Sequence, residues 1–518
     1  MRRFRIGIFL ILMVASGASA ATPPYGGQIV IAYYDEPSSL NPIVPTSGSA
    51  AIIESAFTNG LVKQNESGGV EPDLAESWDV SPDRLTWTFH LRKGVKFSDG
   101  ADMTADDVAA TFRYAIDPKS PSRTVLLSQL VRAVTSDGKL TVQLILNSPY
   151  SLLTQAIQRP IVPAGAIAGN AVVRKEYDAK PVGTGPFMLI EVSRDKVVLD
   201  ANPNYFEGRP HLSRIVFKRF SDQKKAWTSL VQGGTDMVVD VDYEDYMIIK
   251  DDPRFTAYDY LDTFCYPLLF NLKDPLFSDL KLRQAISYAI DRQDLVDKAL
   301  RGGGVPTTGT FQPGTWPYNP DPSIQPFDPA RSVALLKDLG WKNTDGDWVL
   351  QKDGKKFQFT VLIDDSDELK AATAKRLQWQ LLQVGIRMDV EAMPLGELLQ
   401  GRLLAGKYQA AIMQMNTFSN PDVMTSVFWH SSAIGGNNLS GYANSEVDRL
   451  IATGKTATDA DKKAAIYQQI HRLISNDIPA AFLYYRKRYT AMNARLKGFQ
   501  TGPYGLFSAS MSDWYVIR

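Results

Sequence analysis

Residues 71–114 read EPDLAESWDVSPDRLTWTFHLRKGVKFSDGADMTADDVAATFRY, and within this run the hydrophobic period changes from two to that of a helix. Over 86–91 the chain alternates: Trp87, Phe89 and Leu91 share one face and Thr86, Thr88 and His90 the other, the pattern of a half-buried strand. Asp99-Gly100 supplies a turn. Thr104-Ala105-Asp106-Asp107 follows as a capping box, in which the Thr104 hydroxyl satisfies a free backbone N–H and Asp107 reaches back, so a helix is predicted over 105–115. Strand, turn and capped helix in close succession point to an α/β protein.

The same alternation of strand and helix continues on either side. Gln28-Ile29-Val30-Ile31-Ala32-Tyr33-Tyr34 is an apolar strand broken at Pro37, with a helix expected over 49–60. Strands are expected at 197–199, 214–219 and 235–241, with a helix at 221–232. Downstream, helices are predicted over 279–301, 329–339, 369–384 and 395–405. Strands are predicted over 386–392 and 408–415, and a hairpin joins 348–350 to 356–363 through Asp353-Gly354. This succession predicts a second α/β lobe with a largely parallel sheet. Tyr484-Tyr485-Arg486-Lys487-Arg488-Tyr489 and Trp514-Tyr515-Val516-Ile517 read as final strands returning to the first lobe.

The N-terminus carries Arg2, Arg3 and Arg5, an apolar run over 6–15 and small residues ending in Ala18-Ser19-Ala20, a secretory signal peptide expected to be cleaved after Ala20. Its apolar run is shorter than the ~20 residues that span a bilayer. The sequence holds 56 basic and 56 acidic residues; loss of the three signal arginines leaves 53 against 56, so nucleic acid is not an expected partner. Cys265, the one cysteine, excludes a disulfide framework and lies far from any lipid-accepting terminus; among apolar neighbours it reads as core filling. The length of 518 residues exceeds what one core usually serves, and no low-complexity linker or solenoid repeat interrupts it.

Catalytic patterns are sparse. His90, His211, His430 and His471 lie far apart, and HExxH, CxxC, GxSxG and GxxxxGK[ST] do not occur. Asn343-Thr344-Asp345-Gly346-Asp347 resembles a calcium loop, but the EF-hand glycine and closing glutamate positions hold Trp348 and Gly354, so a polar turn is expected. Gly302-Gly303-Gly304 runs into Val305-Pro306 and reads as a turn after a helix. Aromatic residues in loops, Tyr33, Tyr34, Trp316, Tyr318, Phe418 and Phe428-Trp429, are candidates to line a cleft.

The 71–114 segment resembles the extracytoplasmic solute-binding proteins of ABC importers, family 5, the branch with peptide and nickel binders. Asn41-Pro42, 183–187 (GTGPF), 202–206 (NPNYF), 279–286 (DLKLRQAI) and 289–292 (AIDR) follow in the order of that family. The resemblance implies a two-lobed periplasmic-binding-protein fold with a hinge and an additional domain inserted in the first lobe. It places lobe I at 21–56, 181–268 and 489–518, the inserted domain at 57–180 and lobe II at 269–488, with hinges near 268–272 and 486–488. The implied function is capture of a small polar solute, a peptide or peptide-like molecule, and its delivery to permease subunits whose ATPase is on other chains. No cofactor, no metal and no catalysis are implied, and the protein is expected to be a periplasmic monomer.

Dipeptide binders of the family hold the ligand's amino group with an aspartate after the strand matching 408–415, and its carboxylate with an arginine after the strand ending near Ile363. Here the first region reads Asn416-Thr417-Phe418-Ser419-Asn420-Pro421-Asp422 and the second Asp364-Asp365-Ser366-Asp367, so both charges differ. The expected ligand-binding set is therefore Tyr33, Tyr34, Trp316, Tyr318, Asp364, Asn416, Thr417, Phe418, Asn420 and Trp429. A longer peptide, an oligosaccharide, an opine and a cationic solute all remain open, as does a periplasmic hydrolase; nickel is least favoured, with His430 alone.

Overall fold

The computed structural model describes residues 23–35, 39–44, 48–65, 69–120, 123–168, 177–321, 325–344, 346–417, 420–501 and 511–517; the signal segment and Phe418 lie outside them. Strand β1 (Gln28–Tyr33) turns Ile29, Ile31 and Tyr33 into one core and Ala32 into another, because successive side chains point to opposite faces. Helix α1 (Ser49–Phe57) follows and covers the first of these cores with Ile53 and Phe57.

The chain then leaves this sheet for a separate one. Strands β2 (Ala75–Val80) and β3 (Thr86–Leu91), helix α2 (Ala105–Ile116), and strands β4 (Val131–Ser136) and β5 (Thr141–Leu146) build an antiparallel sheet of order β2-β3-β5-β4. The alternation predicted at 86–91 is present: Trp87, Phe89 and Leu91 are buried against Val108, Phe112 and Leu144, while the intervening residues are half-buried. Asp107 accepts from Thr104 N (2.8 Å) and Thr104 Oγ1 (2.9 Å), and its second oxygen takes Ala164 N (2.8 Å). Asp107→Ala frees these donors, so denaturant melts should show a loss of about 1–2 kcal/mol.

Back in the first lobe come β6 (Phe187–Val192), β7 (Lys196–Ala201), β8 (Arg214–Arg219), α3 (Gln223–Val231), β9 (Met237–Val238) and α4 (Tyr243–Ile249). β1 pairs in parallel with both β8 and β9. β9 is shorter than the strand expected over 235–241, since Asp236 instead accepts from Val30 N (2.9 Å) and pairs with Arg495 (2.7 Å).

The chain next crosses in β10 (Phe255–Phe270), a strand of 16 residues. Its last part is buried on both faces, Tyr266, Leu268 and Phe270 in one core and Cys265 and Leu269 in another. The second lobe continues with α5 (Leu280–Tyr288), α6 (Arg292–Ala299), α7 (Pro329–Asp338), β11 (Gln358–Asp364), α8 (Glu368–Leu382), β12 (Arg387–Met393), β13 (Ala410–Ile412), β14 (Met415–Asn416), α9 (Pro421–Phe428), α10 (Ser445–Thr456) and α11 (Ala460–Asp477). β15 (Ala480–Asn493) then runs back along β10. One sheet of order β12-β11-β13-β10-β15-β9-β1-β8-β7-β6 thus passes through both lobes, and the two long strands are the crossing.

Several expectations need correction. The helix predicted over 279–301 breaks in two because Asp291 caps α6 through Asp294 N, and the next side chain, Arg292, turns inward to the Phe482 carbonyl (2.6 Å). The hairpin pairs only Gln351–Lys352 with Lys355–Lys356; β11 joins the main sheet, in parallel with β12 and β13. The second lobe's sheet is mixed, since β13 lies antiparallel to β10. The segment Glu397–Leu403 is π-helical. The crossing strands shift register between Leu261 and Cys265 and between Tyr266 and Pro267. Leu268 to Phe270 are held by pairing with β13, while Pro267 has no N–H to offer a ladder.

Candidate functional site

At the crossing, the C-terminal end of β1, the start of α1, the residues after β9 and the middle of β10 and β15 enclose a chamber of about 430 Å³. Tyr33, Tyr34 and Tyr260 give it aromatic walls, with Asp35, Asp240, Asp262, Thr263 and Arg488 as polar lining. These groups form a chain. The Tyr34 hydroxyl donates to Asp240 Oδ2 (3.1 Å), Arg488 donates to the same oxygen (2.7 Å), and Arg488 Nε donates to Asp262 Oδ2 (2.9 Å). Burial, then the Asp240 carboxylate, raises the Tyr34 phenol far above its usual range. Burial acts against the Arg488 charge, but Asp240 and Asp262 outweigh it and hold the guanidinium above its ordinary value. Asp35 accepts from Ser49 N (3.0 Å) across Gly48, whose φ is +61° and where a Cβ would meet Asp35 Oδ2; only glycine fits.

The second lobe reaches the chamber wall through Thr417, whose N–H and hydroxyl both donate to the Thr263 carbonyl (2.8 and 2.7 Å). Farther out, the inserted domain meets the second lobe directly. Asn420 Nδ2 donates to the Tyr150 hydroxyl (3.0 Å), Ser151 N and Oγ donate to the Lys455 carbonyl (both 2.9 Å), and Arg84 donates to the Thr456 carbonyl (3.2 Å).

A family model described as bacterial extracellular solute-binding proteins, family 5, matches residues 69–436. The chain belongs to this family. The oligopeptide-binding protein AppA of Bacillus subtilis is 29% identical over 94% of this chain and 91% of its own length. A solved structure of AppA with a nonapeptide matches at a TM-score of 0.75 and 28% identity, covering 96% of this chain and all of that one. HbpA2 of Haemophilus parasuis, at 23% identity, matches with a TM-score of 0.84 over 95% of this chain and all of that one, and supports the fold. The two-lobed solute-binding fold with its additional domain is therefore the architecture of this chain.

Of the ten residues expected from sequence, the nine described ones, all but Phe418, separate. Tyr33 and Tyr34 line the chamber, and Thr417 and half-buried Asn416 stand behind its Thr263 wall. Asp364, with 7% of its surface exposed, lies along the same crossing in a larger crevice of about 970 Å³, where Lys370 sits at 3.6 Å. Trp316 packs edge-on against Tyr467 (5.4 Å between centroids) and lines a cavity at the seam; Tyr318 packs against His471 (4.9 Å). Asn420 caps α9 through Asp422 N (3.0 Å) and is buried at the seam. Trp429 is no cleft residue: it is 1% exposed, donates its indole N–H to Thr310 Oγ1 (2.7 Å) and packs in a core with Phe482 and Tyr442. Apolar packing of the large ring won over loop position.

Asp35, Asp240, Asp262 and Arg488 were missed by the sequence reading. The available signal was the run Arg486-Lys487-Arg488 inside an aromatic strand, since charges in a buried strand need partners. His471 and Cys265 are buried in the second lobe; burial lowers the His471 imidazole to about 3 and pushes the Cys265 thiol up.

The seam carries a pH dependence. Asp422 is 1% exposed, and burial raises its carboxyl from 3.8 to about 6 against the opposing pull of Lys463, Lys455 and the Tyr150 hydroxyl. Its stabilising contribution is full below 3.8 and is lost as the pH rises through about 6. Asp422→Asn should therefore melt at a temperature that changes less between pH 5 and pH 8 than the parent protein, read by thermal denaturation at both pH values.

Proposed function

We propose that this chain is the extracytoplasmic receptor of an ABC importer and that it holds a peptide in the Tyr34–Arg488 chamber. The receptor releases its solute intact to permease subunits, whose ATPase is carried on other chains. It is exported by the N-terminal signal, cleaved after Ala20, and works in the periplasm as a monomer without catalysis. The observation that carries this reading is the position of the chamber at the crossing: its lining comes from the first lobe and the crossing strands, and Thr417 of the second lobe, behind that lining, is bonded to Thr263 of the wall, so a solute there acts on the second lobe through Thr263. A solute that contacts both lobes stabilises their closed arrangement, and only such differential contact shifts a hinge. AppA, an oligopeptide binder by name, supports a peptide as the solute.

Charge refines the ligand. Three carboxylates, Asp35, Asp240 and Asp262, line the chamber with Arg488, and Arg486 approaches Asp240 at 3.9 Å from outside the lining, so an excess of one carboxylate favours a cationic end such as a peptide amino terminus. The same excess supports a second reading, a small cationic solute without a peptide backbone. The volume suits either, since small-molecule sites run to ~300–1,000 Å³.

Protein refolded after denaturation and dialysis, to remove any carried solute, separates these readings. A defined tripeptide mixture should raise the melting temperature with concentration as RT ln(1 + [L]/Kd). A rise with polyamines and none with peptides would replace the peptide reading by the cationic one, and no rise with either would refute the chamber as a solute site.

A further inference from the structure

The seam between the inserted domain and the second lobe encloses a cavity of about 680 Å³, which shares no lining residue with the Tyr34–Arg488 chamber. Its walls are mainly apolar and aromatic: Trp87 and Tyr150 from the inserted domain, Trp316 and Ala464 from the second lobe. Trp87 is 8% exposed, yet its indole N–H is enclosed and has no hydrogen-bond partner among the described residues. The Gln155 side-chain oxygen, also in this lining, is enclosed and unpaired too. A buried donor or acceptor left bare costs about 1–3 kcal/mol, so two in one wall mark a seam whose packing is incomplete around the cavity.

The charges of the lining point the same way. Arg84 and Lys463 face a single carboxylate, Asp461. Arg84 spends one N–H on the Thr456 carbonyl and Lys463 one on Ser151 Oγ, and both keep further donors. Asp422 lies buried next to Lys463 and Tyr150 but is not part of this wall.

We propose that this cavity is a second binding site, for a small aromatic carboxylate. The ring lies against the Trp316 and Tyr150 walls, and the carboxylate complements Arg84 and Lys463. Because the walls belong to two bodies, an occupant holds the inserted domain on the second lobe and so favours the closed clamp. By linkage, the transported solute and the aromatic anion each tighten the other's binding.

The test is calorimetric titration of the full mature protein with indole-3-acetate, beside Ala464→Trp, which fills the cavity, Arg84→Gln, which removes one cation at its rim, and Ser49→Trp, which obstructs the separate chamber. A single saturable site is expected, weakened roughly tenfold or more by Ala464→Trp, several-fold by Arg84→Gln, and unchanged by Ser49→Trp. Neutral indole should bind more weakly than the acid. If Ala464→Trp fails to give a cooperative melt, Arg84→Gln decides. No saturable heat at millimolar probe, or binding that Ser49→Trp abolishes while Arg84→Gln leaves it intact, overturns the proposal. Neither result bears on peptide binding in the chamber, which is read with a different ligand.

Discussion

Trp429→Ala is expected to destabilise the second lobe by roughly 3–5 kcal/mol, the range for truncating a fully buried tryptophan. The ring is 1% exposed and meets Phe482 and Tyr442 edge-on at 5.8 and 6.3 Å between centroids. Its loss opens a cavity beneath β15 and removes the indole donor from Thr310, which is fully buried. Denaturant unfolding followed by circular dichroism measures the effect. The fraction that remains folded should bind solute as the parent does, because no atom of Trp429 reaches the chamber lining. An unchanged melt together with lost binding would instead put the ring in the cleft.

Arg488→Met should have the largest effect on binding. The methionine keeps an apolar stem but removes the cation shared by Asp240 and Asp262, and the Asp262 side chain is only 8% exposed. Stripping one partner from a largely buried ion pair costs about 3–5 kcal/mol, less where solvent reaches, and the Arg488 side chain is 32% exposed, so a stability loss near the lower end is expected. The chamber then loses the bridge that fixes Asp240 and Asp262 in its wall, with only Arg486 left near Asp240 at 3.9 Å, and peptide affinity should fall by about 100-fold, the equivalent of ~3 kcal/mol. Adding Asp262→Asn to Arg488→Met should recover part of the stability, and the double-mutant cycle measures that coupling. Independent, additive losses would show that the guanidinium does not organise the chamber.

Much of the fold was legible because its elements obey single-period patterns. Trp87, Phe89 and Leu91 face one core as their alternation requires, and the Thr104–Asp107 cap starts the helix where it was expected. Periodicity left the stretch of β10 unassigned and only the family resemblance implied a hinge near its end, since the crossing follows from β15 pairing with it more than 200 residues later. The break between α5 and α6 depended on Arg292 finding the Phe482 carbonyl, again a distant partner.

The site was less legible for a related reason. Aromatic residues beside glycine and proline are equally suited to a cleft and to a core, and Tyr34 took the first path while Trp429 took the second. Asp364 stands where the family pattern implies an arginine after the strand, and it lies 3.6 Å from Lys370 and opens on the larger crevice. Asp240, Asp262 and Arg488 come from three separate segments, and only the folded crossing joins them.

On the proposed function, a clamp captures an intact solute at the crossing and alters nothing in it. Native mass spectrometry of solute-stripped protein incubated with a defined peptide library tests it most directly. One peptide per chain is expected, released on denaturation with its original mass, with loss of that complex in Arg488→Met. Peptides recovered as shorter fragments, or a complex that persists undiminished in Arg488→Met, would contradict it.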